Sequence, residues 1–139
     1  MGKHAIIVIK NSNNEYLQYF DNRWDSYLFL NCKLSENFNN ETIVDYISDK
    51  LKIDKEKIQC QYIGKKVHTK FSQSAQREKE YEHFFYEAII DRIPSTMEEK
   101  NFLINDESYC WYSYDELQGD KRIQKVNSDI VSFIKEFNL

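Results

Sequence analysis

The amino-acid sequence predicts an α/β chain of the α+β kind: a mixed β-sheet flanked by a mid-chain helix and a C-terminal helix, an α/β/α sandwich in one domain over residues 1–139. Three observations carry this. Short β-branched and aromatic runs recur between turn residues, one amphipathic stretch lies mid-chain, and a second closes the sequence. At 139 residues the chain has the size of one domain. It can bury about two-thirds of its unfolded surface, so it needs neither disulfide nor structural metal to fold.

The elements follow in order. Ala5, Ile6, Ile7, Val8 and Ile9 make an apolar, β-branched strand. Residues 11–14 are Asn-rich and turn the chain, because Asn tolerates positive φ and bonds its own backbone. Residues 16–20 run back as a hairpin, a polar loop carries Arg23 and Trp24, and 27–30 form a third strand. After a loop over 31–40, Asn40 is expected to cap a helix that aligns Ile43, Val44, Ile47 and Leu51 on one face. Residues 57–68 read as a strand entering a charged hairpin loop over 69–80. An aromatic strand over 83–91 follows and stops before Pro94. Residues 109–112 form a short strand, and Ser113 with Glu116 has the spacing of a capping box. The last helix buries Ile123, Val126, Ile130, Ile134 and Phe137.

Composition excludes several function classes. Three Gly and one Pro cannot build a Walker loop, a dinucleotide fingerprint or a nucleophile elbow, which need glycines where backbone must approach a ligand or turn sharply. A net charge of −4, with charges spread along the chain, supplies neither a nucleic-acid stripe nor a polybasic membrane patch. The longest apolar run, 5–9, is too short for a membrane span or a signal-peptide core. Cys32, Cys60 and Cys110 have no metal-ligand or redox spacing and read as unpaired thiols in a reducing, cytoplasmic setting. His4, His68 and His83 lie on three separate strands or strand ends, and structural roles are expected for them. Core packing is expected for the aromatic clusters at 81–86 and 109–114.

The order hairpin, strand, loop, helix, antiparallel strands and then Trp111-Tyr112-Ser113-Tyr114-Asp115-Glu116-Leu117 before a late helix resembles the Nudix (MutT-like) superfamily over nearly the whole chain. The segment 27–53 sits where the Nudix box, G-x5-E-x7-R-E-U-x-E-E-x-G-U, belongs. Aligned on its aliphatic positions, Ile47 and Ile53, the box is degenerate. Asp45 stands at the Arg position and Tyr46 at the following Glu. Asp49 and Lys50 stand at the paired Glu positions, and Lys52 at the glycine. The diglycine loop corresponds to Leu30, Asn31 and Cys32, and the upstream Glu to Asn37 or Glu36.

Two readings follow from the resemblance. In the first, the chain binds a nucleotide or nucleoside-diphosphate-linked ligand, or a protein, without efficient hydrolysis and without a cofactor. Arg23 and Lys50 then hold phosphate while Trp24 and Tyr46 stack. In the second, it is a Mg²⁺- or Mn²⁺-dependent pyrophosphohydrolase with a non-standard site: Asp49 as anchor, supported by Asp45 and Glu41 or Glu36. Glu41, Asp45 and Asp49 share a face at helical spacing, which is also the pattern of a solvated acidic face. An ammonium about 4 Å from a divalent ion is repelled by roughly 8 kcal/mol at an effective dielectric near ~20, so Lys50 favours the first reading. The aromatic sheet edges are compatible with a homodimer.

Overall fold

The chain runs through β1 (Gly2–Val8), β2 (Tyr16–Asp21), β3 (Ser26–Lys33), α1 (Asn40–Leu51), β4 (Ile58–Ser72), β5 (Arg77–Ile90), β6 (Asn101–Ile104), β7 (Glu107–Tyr112), α2 (Tyr114–Gly119) and α3 (Lys121–Glu136). This computed structural model describes residues 2–72 and 76–139, and side chains except those of 70–72. The strands join in the order β4-β5-β1-β3-β2-β7-β6. Neighbours are antiparallel except β1 and β5, which run parallel.

Alternation along β1 builds the layers. Ala5, Ile7 and Ile9 face the core that holds Ile43, Ile47 and Leu51 of α1. Ile6 and Val8 face the opposite core, which holds Leu117 of α2 and Ile123, Ile130, Val131 and Ile134 of α3. Helices therefore cover both faces of a mixed sheet, the α/β/α sandwich the sequence predicts. Each fully buried aliphatic side chain here, such as Ile43 or Ile47, contributes about 1.5–3 kcal/mol by leaving water.

Several local expectations are corrected. The α1 cap is Asn39, not Asn40: its side chain accepts from Thr42 N–H, and Thr42 Oγ1 accepts from Asn39 N–H in return. Asn40 instead donates to the Cys60 carbonyl at 3.2 Å. The third strand continues past the expected 27–30 through Lys33, because residues 30–33 find a partner in β1.

Most of the expected hairpin loop over 69–80 is a two-stranded ribbon, with Thr69 opposite Glu80; residues 73–75 lie outside the described residues. Its charged side chains resemble a loop in sequence because the ribbon runs beyond the covered part of the sheet. Part of the expected loop between Pro94 and Tyr109 forms β6, an edge strand on β7. The last helical segment contains a kink at Asn127 (φ −142°, ψ 21°), and Val126 and Phe137 are only partly buried. The Ser113–Glu116 capping box is present as expected and starts α2. Among the described residues no helix is long and apolar enough to cross a membrane.

Candidate functional site

β3 changes partner halfway along its length. Residues 26–29 pair with β2 and residues 30–33 with β1. Two adjoining cavities lie at this division. One, about 390 Å³, is lined by Trp24, Tyr81, His83, Lys79 and, from α3, Val126 and Asn127. The other, about 550 Å³, is lined by Tyr19, Asp21 and Cys32, by Tyr46 and Lys50 from α1, and by Glu107. His4, Arg23, Asn31 and Lys33 line both, so the two form one groove with an aromatic chamber and an α1 chamber.

The β2–β3 turn sets the rim. Asp21 is 6% exposed and its Oδ1 accepts from the backbone N–H groups of Arg23 (2.9 Å) and Trp24 (3.3 Å), the bonds of an Asx turn. Tyr19 O–H donates to its other oxygen at 3.0 Å, and the Arg23 guanidinium reaches the same oxygen at 3.4 Å. Burial alone raises the Asp21 pKa, but the bonds from Tyr19, Arg23 and Trp24 outweigh it and hold the carboxyl below its usual range. Asp21 is thereby committed to shaping the turn that presents Arg23 and Trp24, both exposed.

On the α1 side, Lys50 Nζ lies 2.7 Å from Glu107 Oε2 and 5.0 Å from the centre of the Tyr19 ring. Burial pushes the Tyr46 phenol up, followed by the influence of Tyr19 and Cys32, so it stays neutral at physiological pH. Burial likewise pushes the Cys32 thiol up to about 11, which keeps it from acting as a thiolate.

The structure thus brings Arg23, Tyr46 and Lys50 to one chamber and places Trp24 in the adjoining one, with Arg23 shared. It does not bring the carboxylates there. Asp49 is 88% exposed and lies 3.9 Å from Lys52, Asp45 pairs with Lys55 at 2.8 Å, and Glu41 is exposed. None of the three lines either cavity. Among the described residues no three His, Cys, Asp or Glu side chains converge as metal ligands. A divalent cation does not fit the α1 chamber, because Lys50 already supplies the positive charge and Glu107 is spent on it.

Lys52, at the glycine position, sits just past α1 in the left-handed region (φ 58°, ψ 45°).

The three histidines lie on separate strands, as expected, and strand pairing brings them close together. His4 and His83 are register partners on β1 and β5, with rings 6.1 Å apart. His83 Nδ1 meets His68 Nε2 at 2.5 Å, and His68 Nδ1 lies 3.0 Å from Asp129 Oδ2 on α3. The convergence was invisible in the sequence because it depends on which strands pair. Aromatic residues are also divided: Phe85, Tyr86, Tyr109 and Trp111 pack in the cores as expected, whereas Tyr81 lines the aromatic chamber.

No protein-family model matches this sequence and no curated protein matches it. Solved structures do. The Ap4A hydrolase of C. elegans is similar with a TM-score of 0.59 at 13% identity, covering 99% of this chain and 96% of that one. A Nudix hydrolase from Nitrosomonas europaea has a TM-score of 0.58 at 12% identity, covering 99% and 87%. A Nudix-family hydrolase from Clostridium perfringens has a TM-score of 0.55 at 11% identity, covering 97% and 94%. Identities this low speak to fold, and the agreement runs the length of both chains: this chain has the Nudix fold.

Proposed function

We propose that this Nudix-fold chain binds a nucleotide or nucleoside-diphosphate-linked ligand in the two-chamber groove and does not hydrolyse it efficiently. One observation carries the reading: Lys50 points into the groove from the helix position where the box has a paired glutamate, and Glu107 holds it there at 2.7 Å. A fixed ammonium suits a phosphate as a point charge and opposes a bridging metal ion. The adjoining chamber supplies what the rest of such a ligand needs. Trp24 and Tyr81 offer aromatic faces, Ile6, Leu28 and Phe29 an apolar wall, and Asn31 and Asn127 amide groups. Arg23 and Lys33, common to both chambers, place cationic groups where aromatic and anionic parts would join. Two of the similar solved structures are named for nucleotide polyphosphate chemistry, an Ap4A hydrolase and an enzyme with ADP ribose pyrophosphatase activity.

Phosphorus NMR tests this directly. The protein is mixed with ADP-ribose, Ap4A and nucleoside diphosphates, with and without Mg²⁺ or Mn²⁺. Selective broadening of one compound without new resonances is the expected result. Metal-dependent turnover that disappears in Asp49→Ala would overturn the reading in favour of a hydrolase. No effect on any compound would also overturn it and leave the groove to a protein partner.

A further inference from the structure

At the junction of the two chambers stands a side chain that the ligand reading leaves unused. His4 lines both cavities, its Nδ1 is buried, and that atom has no hydrogen-bond partner among the described residues. Buried polar atoms are nearly always paired, so a residue that lines both cavities while one of its ring nitrogens has no partner is not fixed by the fold's own hydrogen bonds.

The surroundings of His4 are cationic. Lys33 is its register partner on β3, and Lys79 comes from β5. Burial, then Lys33, then Lys79 lower its pKa, so the imidazole is neutral in the empty site at neutral pH. Also from β5, Tyr81 and His83 hold their rings 6.0 and 6.1 Å away. The negative groups nearby are already engaged. Asp21 carries the Asx turn and Arg23, Glu107 from β7 holds Lys50 of α1, and Asp129 of α3 reaches His68 of β4, which in turn meets His83. The pocket therefore presents a titratable donor that lacks only a counter-charge to become an imidazolium.

We propose that His4 is an anion-binding group of this site: phosphate or pyrophosphate seated among Arg23, Lys33 and Lys79 is met by His4 in its imidazolium form, so that binding takes up one proton from solvent. The inference rests on the ligand reading and adds its regulation. The anion offsets the lysine charges that kept His4 neutral and supplies an acceptor for the added N–H. Release of the anion returns the proton. By linkage, the site then binds anions more tightly as pH falls through the histidine range, and bound anion raises the His4 pKa by the same free energy.

The test follows the ring resonances of the three histidines from about pH 5 to about pH 9, with and without inorganic pyrophosphate, around the ordinary histidine value of about 6.5. His4 is expected to titrate below that value alone and at least about one unit higher with saturating pyrophosphate, which corresponds to about tenfold tighter binding by the protonated form. Calorimetry of pyrophosphate binding in two buffers of different ionisation enthalpy should show net proton uptake near neutral pH. His4→Gln should abolish that uptake and so separate it from the titration of pyrophosphate itself. A His4 midpoint unmoved by pyrophosphate that shifts other resonances overturns the proposal. Pyrophosphate that perturbs no resonance overturns it as well, and the ligand reading then stands or falls on the phosphorus NMR screen, whose compounds also carry a base.

Discussion

Lys50 and Glu107 come from α1 and β7, far apart in sequence, and meet at 2.7 Å with Lys50 only 22% exposed at its side chain. A surface ion pair of this kind contributes little to stability, about 0–1 kcal/mol. Its consequence is positional, since it fixes an ammonium on the chamber wall. Lys50→Ala is therefore expected to weaken ADP binding about tenfold, the loss of one charge-assisted contact, with little change in melting temperature. Lys50→Glu should weaken it further, because two carboxylates then face the phosphates. Titration calorimetry with ADP reads both, and a Lys50→Ala affinity equal to wild type would remove Lys50 from the site. Lys50 and Tyr46, named in the sequence from the helix, and Arg23, named from the loop before the box strand, line one chamber. The box register ranked Asp49 as a metal anchor. In the fold, position 49 points to solvent while position 50 points to the chamber, a difference of one helical step. His4 was legible only as a strand residue, since its value as a site residue depends on lying beside Lys33 of β3 and His83 of β5.

At the scale of the element, α1 ends on a residue whose backbone conformation does not suit it. Lys52 takes φ 58° and ψ 45° just past the helix, with its N–H bonded back to Ser48. Glycine adopts this geometry without the Cβ clash, and a left-handed residue at this place is the common way for a helix to stop. Lys52→Gly is expected to raise stability by about 0.5–1 kcal/mol, since the ion pair it gives up, with Asp49 at 3.9 Å, is exposed. Urea denaturation checks this; a loss of stability would mean that the Lys side chain does more than its geometry shows. Elements with a buried face were readable from the sequence: β1, β2, α1 and the α3 face that carries Ile123, Ile130 and Ile134. The ribbon of β4 and β5 beyond the sheet and the edge strand β6 were read as loops. The ribbon's exposed polar side chains carry no periodic signal of its pairing, and β6, Asn101–Ile104, is only four residues long and pairs with one neighbour.

For the whole molecule, one sheet separates two cores, and the site lies where β3 passes from one strand partner to the other. Residues from the hairpin, both core faces and α1 reach the same groove there, so site and fold share their titratable groups. Acid should therefore destabilise the protein in two stages. The folded-state pKa of His4 lies below its unfolded value, so the unfolded chain binds the proton more readily; stability falls as pH drops below about 6.5. Asp21 and Glu116 are held below their ordinary carboxyl values: Asp21 because its bonds to Tyr19, Arg23 and Trp24 outweigh its burial, Glu116 by Lys100 and Ser113. Their contribution is complete above the unfolded carboxyl range and is lost as pH falls through their folded values, below about 4. Urea denaturation across this range should show a shallow upper limb that flattens in His4→Gln and a steeper lower limb that flattens in Asp21→Asn. Saturating pyrophosphate should reverse the slope of the upper limb in the wild type, because the occupied site then holds the proton more tightly than the unfolded chain. An upper limb identical in wild type and His4→Gln, with or without pyrophosphate, would separate the site from the acid response.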